Sequence, residues 1–195
     1  MRRRIGPPAA GSHALAYFLD DNAFNPEETP PQSNDWWFWV KGKSKAEIVL
    51  RGPVDHLGGT DWITRAITNV TIEVRNGGAP NRVTLDSGAD RQTLEMAPSE
   101  AKTVTLSMPA GVPFRREVQP PSYLYNLSVR TTNGFVPFLV EPCRKPGTCP
   151  DDSRFLGAMI HVIPEYTDAD ITRGWVPPNG MPKGKDDTSG VLDTP

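Results

Sequence analysis

A chain of 195 residues can bury one substantial core and leaves little room for a second domain of ordinary size. Hydrophobic residues make up 37% and charged residues 23%, too apolar a mixture for a chain that stays unfolded. The net charge of −2 and a pI near 5.9 provide no field that would hold nucleic acid or an anionic membrane surface.

Residues 1–14 open on Arg2-Arg3-Arg4 and continue through Pro7-Pro8-Ala9-Ala10-Gly11, which reads as a disordered leader. The basic start has the charge of a signal peptide but lacks the apolar stretch that should follow, so no export signal is visible. No segment approaches the roughly 20 apolar residues that cross a bilayer, and a soluble chain is expected. The folded domain is expected over residues 15–166. Residues 167–195, with Pro177-Pro178-Asn179-Gly180 and little apolar periodicity, read as a flexible tail.

Within the domain, short strand-like segments alternate with turn signals. Trp36 to Val40 is an aromatic strand, and Ala46 to Arg51 is another, ended by Gly52-Pro53. Ile67 to Arg75 alternates cleanly, which places Val70, Ile72 and Val74 toward a core and Ile67, Thr71 and Glu73 on the other side. Asn76-Gly77-Gly78 supplies a tight turn to Asn81–Asp86, and Ser87-Gly88 ends that strand. Arg91–Met96 and Lys102–Met108 flank the turn Ala97–Glu100, so three successive hairpins are expected. Leu124–Arg130 and Phe155–Ile163 complete the set. The 21 prolines, roughly twice the average share, and 17 glycines suit this punctuation, and no window predicts a long amphipathic helix. The expected fold is all-β: a two-sheet antiparallel sandwich of about eight strands, jelly-roll or immunoglobulin-like.

Cys143 and Cys149 flank a Pro146-Gly147 turn that would bring them within bonding distance, so a loop-stapling disulfide in an oxidising compartment is expected, with free surface thiols as the alternative. Their spacing does not suit zinc, and His13, His56 and His161 form no ligand-spaced cluster. Asp20-Asp21-Asn22 and Asp151-Asp152 are oxygen-rich pairs near opposite ends of the domain. Two readings follow. Asp20, Asp21 and Asp152 would share a calcium ion, or Asp21 or Asp152 pairs with Arg154 and pins the chain ends together, the reading favoured here.

No nucleophile elbow, phosphate-cradling loop or metal motif is present, so no catalytic residue is assigned and no cofactor is expected beyond that calcium. His161 reads as a satisfied sheet histidine. The aromatic run Trp36-Trp37-Phe38-Trp39, with Trp62, is the most unusual feature of the sequence. Strand alternation puts Trp37 and Trp39 on one face and Trp36 and Phe38 on the other. Trp39 and Trp37 are expected in the core, leaving Trp36 partly exposed. Exposed indoles stack on the apolar faces of sugar rings, so Trp36 and Trp62, with His56 in the loop before it, are the candidate ligand residues. The alternative is a core cluster with a loop plug. Asn69-Val70-Thr71 and Asn126-Leu127-Ser128 meet the glycosylation rule but lie inside expected strands.

Five phrases, Leu19-Asp20-Asp21-Asn22-Ala23-Phe24 with Pro26, Phe38-Trp39-Val40-Lys41-Gly42, Val74-Arg75-Asn76-Gly77, Gly134-Phe135-Val136-Pro137 and Asp152-Ser153-Arg154-Phe155-Leu156-Gly157, occur in order across most of residues 19–163. Together they resemble a β-sandwich module found at the C-terminal end of bacterial cell-envelope proteins, including membrane-embedded glycosyltransferase-like proteins. The cysteine loop from Glu141 to Pro150 and the long tail depart from that pattern. The resemblance implies an extracytoplasmic, non-catalytic module, periplasmic or on the cell surface, that is a fragment or stand-alone relative of a larger protein. The expected function is binding or accessory, with glycan or an envelope protein as partner. One alternative is a structural or assembly protein. Another is a glycoside hydrolase, which would need paired carboxylates facing each other across a cleft.

Overall fold

The computed structural model describes residues 2–5, 14–24, 27–28, 36–116, 119–140 and 151–173. Cys143, Cys149 and His13 lie outside them, so the expected disulfide does too.

Among the described residues are thirteen strands: β1 (Arg2–Ile5), β2 (Ala14–Phe18), β3 (Glu27–Glu28), β4 (Trp36–Lys41), β5 (Lys45–Arg51), β6 (Val54–Gly58), β7 (Asp61–Asn76), β8 (Asn81–Asp86), β9 (Arg91–Met96), β10 (Ala101–Ser107), β11 (Val112–Arg116), β12 (Gln119–Thr131) and β13 (Leu156–Thr172). The one helical piece among these residues is the turn α1 (Pro137–Val140). The strands form two antiparallel sheets. The first runs β1-β2-β5-β12-β8-β9, with β11 also on β12; the second runs β10-β7-β13-β4-β3, with β6 also on β7. The two-sheet sandwich expected from alternation is therefore present, with more strands than the eight read from the sequence.

Period-two alternation builds the interior. Ala46, Ile48 and Leu50 of β5 are buried while Glu47 and Val49 between them are half-exposed. Leu85, Leu127 and Val129 complete that side of the core. Facing them are Phe38, Val40, Val70, Ile72, Val74, Leu106, Ile160 and Val162 from the second sheet. Fully burying side chains of this size stabilises by about 1.5–3 kcal/mol each, before ordering costs.

Four expectations need correction. Ile67 is 2% exposed and belongs to the core. The β13·β7 register shifts between Glu165 (opposite Asn69) and Tyr166 (opposite Ile67), so Thr68 is an extra residue that flips the alternation. Of the three expected hairpins, β8–β9 alone pairs within one sheet. The turns after β7 and after β9 carry the chain across to the other sheet, and β10 pairs with β7 instead. The outer limits also differ: β1 pairs with β2 inside the expected leader, and β13 stays paired to β7 through Thr172, beyond residue 166.

The fourth correction concerns the aromatic strand. Phe38 and Val40 point into the inter-sheet core, at 1% and 0% exposure, and Trp39 does not. Trp37 and Trp39 lie on the outer face of the second sheet. Trp37 is nevertheless buried there, beneath Arg75, while Trp39 is half-buried.

The edge strands β9 and β10 run beside each other where the two sheets meet. Side chains cross this seam to backbone carbonyls: Lys102 Nζ donates to Glu95 O at 2.6 Å and Gln92 Nε2 to Thr105 O at 3.3 Å.

Candidate functional site

One end of the sandwich is a ribbon formed by β6, β7 and the close of β13. A two-residue turn, Gly59-Thr60, joins β6 to β7. It uses the left-handed backbone at Gly58 (φ 117°) and Gly59 (φ 61°), which glycine adopts without a Cβ penalty. The register sets His56 directly opposite Trp62, and Trp62 opposite Thr172 on its other side. The two rings meet, 4.6 Å between centroids and tilted by 57°. With its proton on Nε2, the exposed His56 donates to Gly59 O at 2.9 Å, which fixes the ring. Trp62 is half-buried, and Leu57 and Ile171 beside this row are 54% and 57% exposed.

Below this tip the ribbon is anchored by polar contacts. Thr64 Oγ1 donates to Pro121 O at 2.8 Å, and Tyr123 Oη donates to Asp170 at 2.8 Å. The Asp170 carboxylate, then burial, hold the Tyr123 hydroxyl above its usual pKa. Arg65 Nε donates to Asp55 at 3.0 Å and Arg65 also lies 3.7 Å from Asp168. At the edge of the core, the buried Arg51 donates from Nε to Ser122 Oγ at 2.7 Å.

Trp36 does not join His56 and Trp62. It is the first residue of β4 and pairs with Glu28. Its neighbour Trp37 lies opposite His161, whereas Trp62 lies opposite Thr172, on the order of 30 Å farther along β13 at ~3.3 Å per residue. The outer face there carries a row that sequence reasoning missed. Trp37 stacks on His161 at 4.8 Å, the Arg75 guanidinium lies 4.2 Å from the Trp37 ring centroid, and His161 Nδ1 is 3.3 Å from Glu73 Oε2. His161 is thus a sheet histidine with ring and carboxylate partners, as expected. Asn69 donates to Glu165 at 3.1 Å, and Asn126 is exposed on β12; both stand within strands.

The other end gathers the five phrases of the resemblance, apart from Pro26, which lies outside the described residues. Ala23 bridges to Val40, Lys41 N donates to Asn22 O, and Gly42 N donates to Phe155 O. Phe135 and Leu156 exchange both backbone hydrogen bonds, and Phe135 packs edge-on against Trp39 at 5.7 Å. Gly77 is the seat of the Phe135 ring: a Cβ there would stand 1.7 Å from its Cε1.

The acidic pairs are employed structurally. Asp20 accepts from Asn22 N at 2.9 Å and Glu47 N at 3.0 Å. Asp152 takes a forked contact from Arg154, 2.9 Å from Nε and 2.6 Å from Nη2, and these donations hold its carboxyl below the usual carboxylate range. This pair is local in sequence. Arg154 reaches the first phrase through the Phe24 ring, 5.1 Å away, and not through Asp20 or Asp21. Asp21 is exposed. Among the described residues, no three His, Cys, Asp or Glu side chains come together as a group that could hold a metal ion.

No protein-family model matches the chain, and no curated protein matches it. Among solved structures it is similar to a family two carbohydrate esterase from Cellvibrio japonicus, at 10% identity and a TM-score of 0.25, covering 80% of this chain and 36% of that one. It is also similar to Clostridium perfringens delta-toxin, at 10% identity and a TM-score of 0.15, covering 84% of this chain and 79% of that one. The chain thus spans about a third of the esterase's length. Neither likeness bears on function.

Proposed function

We propose that this chain is a non-catalytic accessory module of the bacterial cell envelope, working outside the cytoplasm, that takes glycan on the Trp62–His56 platform. The observation that carries the reading is the contact between those two rings at the tip of an exposed ribbon. The indole provides an apolar face for a sugar ring, and Thr172 stands opposite it on β13. The non-catalytic part is supported by Asp20 and Asp152, whose oxygens already accept from backbone amides and from Arg154. The envelope assignment rests on the sequence resemblance that the five phrases carry.

Titrating envelope polysaccharide and a panel of soluble oligosaccharides into the wild type and Trp62→Ala tests the reading. Binding should weaken about tenfold or more on loss of the indole, ~1.4 kcal/mol. Absence of binding to any saccharide, together with a Trp62 indole shielded from aqueous quenchers, ends it.

A second reading, an assembly protein, is favoured by the turn α1, where Phe138, Leu139 and Val140 are 60%, 72% and 51% exposed beside Phe155 at 38%. Under that reading, Leu139→Asp abolishes capture of an envelope protein that the wild type retains, and Trp62→Ala leaves capture intact.

A further inference from the structure

At the end of the sandwich away from Trp62, the β8–β9 hairpin, the turn after β9 and the turn after β12 border an open, shallow concavity of about 620 Å³. It lies open to solvent, so a ligand seated there would keep one side in water. Its floor is Met96, 3% exposed, and its walls carry Arg82, Glu95, Glu100, Thr132 and Asn133. Asn76, whose Nδ2 donates to Met96 O and Ala97 O, marks this end of the sixteen-residue β7. Trp62, near the other end, is on the order of 45 Å away at ~3.3 Å per residue.

The polar groups are held in place before any ligand arrives. Arg82 and Glu95 are cross-strand partners, and Nε donates to Oε1 at 2.5 Å. Glu100 accepts from Ala97 N at 2.8 Å and pairs with Lys102 at 3.2 Å. Asn133 Nδ2 donates to Pro80 O at 2.9 Å, which turns its Oδ1 toward acceptor duty. Thr132 Oγ1 accepts from Arg82 N at 3.1 Å and keeps its own proton to donate. Every charge in the wall has an opposite charge beside it. An anion beside Arg82 would also face the Glu95 carboxylate, and a cation beside Glu95 or Glu100 would face Arg82 or Lys102. A neutral polyol breaks neither pair: one hydroxyl accepts from the guanidinium while its neighbour donates to the carboxylate, both groups remaining half-exposed and able to bond outward.

We infer that this concavity is a second binding site, taking a neutral polyhydroxylated ligand the size of a mono- or disaccharide. The inference stands apart from the platform at Trp62, since no residue is shared.

The test is amide NMR titration of the full chain with methyl β-glucoside, methyl α-mannoside and cellobiose, alongside glucuronate and glucosamine, in the wild type, Arg82→Met, Thr132→Val and Trp62→Ala. Saturable shifts at Arg82, Glu95 and Asn133 with a neutral sugar are expected. They should weaken about tenfold in Arg82→Met, weaken in Thr132→Val, and persist in Trp62→Ala. Shifts confined to the His56–Trp62 tip would overturn this site and leave the platform standing. Shifts at neither place would overturn both. Binding of glucuronate or glucosamine in preference to every neutral sugar would overturn the ligand class. Arg82 and Thr132 are exposed, and amide spectra of the unliganded variants report directly whether the fold is kept.

Discussion

Replacing Phe38 and Trp39 separately by alanine asks which face of the aromatic strand is the core. Phe38 is 1% exposed and meets Phe18 edge-on at 5.0 Å, inside the cluster shared by both sheets. Removing such a ring costs about 3–5 kcal/mol in transfer and cavity terms. Against a total stability of roughly 5–15 kcal/mol this is about a fifth or more, and for a chain of this size it lowers Tm by on the order of 10 °C. Trp39 is half-buried on the outer face, where its main ring partner is Phe135. Losing an aromatic edge contact costs about 0.5–1.5 kcal/mol, and the partly buried indole area brings Trp39→Ala to roughly 2 kcal/mol. Urea unfolding followed by circular dichroism, with equal m-values, measures both. If Phe38→Ala does not fold, Phe38→Leu and Trp39→Phe keep the ranking measurable, with Phe38→Leu at about 1–1.5 kcal/mol. A larger loss at position 39 than at 38 in either comparison refutes the face assignment.

Gly77→Ala drives a methyl into the seat of Phe135, at a cost of about 1–3 kcal/mol; in a double-mutant cycle Phe135→Ala should recover part of that loss, and strictly additive effects would count against the contact. Tyr125→Phe removes the hydroxyl that accepts from Ile67 N at 3.1 Å, so a buried amide is orphaned and urea unfolding should show a loss of about 1–3 kcal/mol. Burial holds the Tyr125 and Tyr166 hydroxyls above 10.0, so their contribution to stability is complete below that pH and lost as pH rises through the higher folded values; tyrosinate absorbance from these two should appear together with unfolding. Asp152, held below 3.8 chiefly by Arg154, contributes stability above that pH and loses it as pH falls through its lower folded value; the gap between wild type and Asp152→Asn should therefore close in acid, and a constant gap would contradict the pairing.

Alternation made the interior of β5, β7 and β8 legible, because residues such as Ile48, Ile72 and Leu85 repeat at period two between unmistakable turns. The aromatic strand was misassigned by weighing ring size over phase. Lys41 shares parity with Trp37 and Trp39, whereas Val40 shares parity with Phe38, and that contrast pointed to the correct face. Ile67 could not be placed, since the bulge at Thr68 depends on the partner strand β13. Nor does Gly77-Gly78 reveal whether a turn returns within its sheet or crosses to the other. At the candidate site, His56 and Trp62 were legible as residue types, but their contact arises from the β6·β7 register. Trp36 was grouped with them as an indole that alternation left for solvent, and it lies elsewhere, opposite Glu28. Arg75 over Trp37 joins strands that flank β13 on either side, and the Arg82–Glu95 wall joins cross-strand neighbours; neither pairing is marked in the sequence.

The two side chains that cross from one sheet edge to the other have a consequence for behaviour in concentrated solution. A bare border strand recruits a neighbouring molecule's strand and seeds fibrous growth. Here Lys102 and Gln92 already occupy carbonyls that such a neighbour would need, and the ammonium adds a like-charge barrier between copies. Trimming either to alanine would leave the fold's interior untouched while offering polymerisation a template that the natural chain withholds.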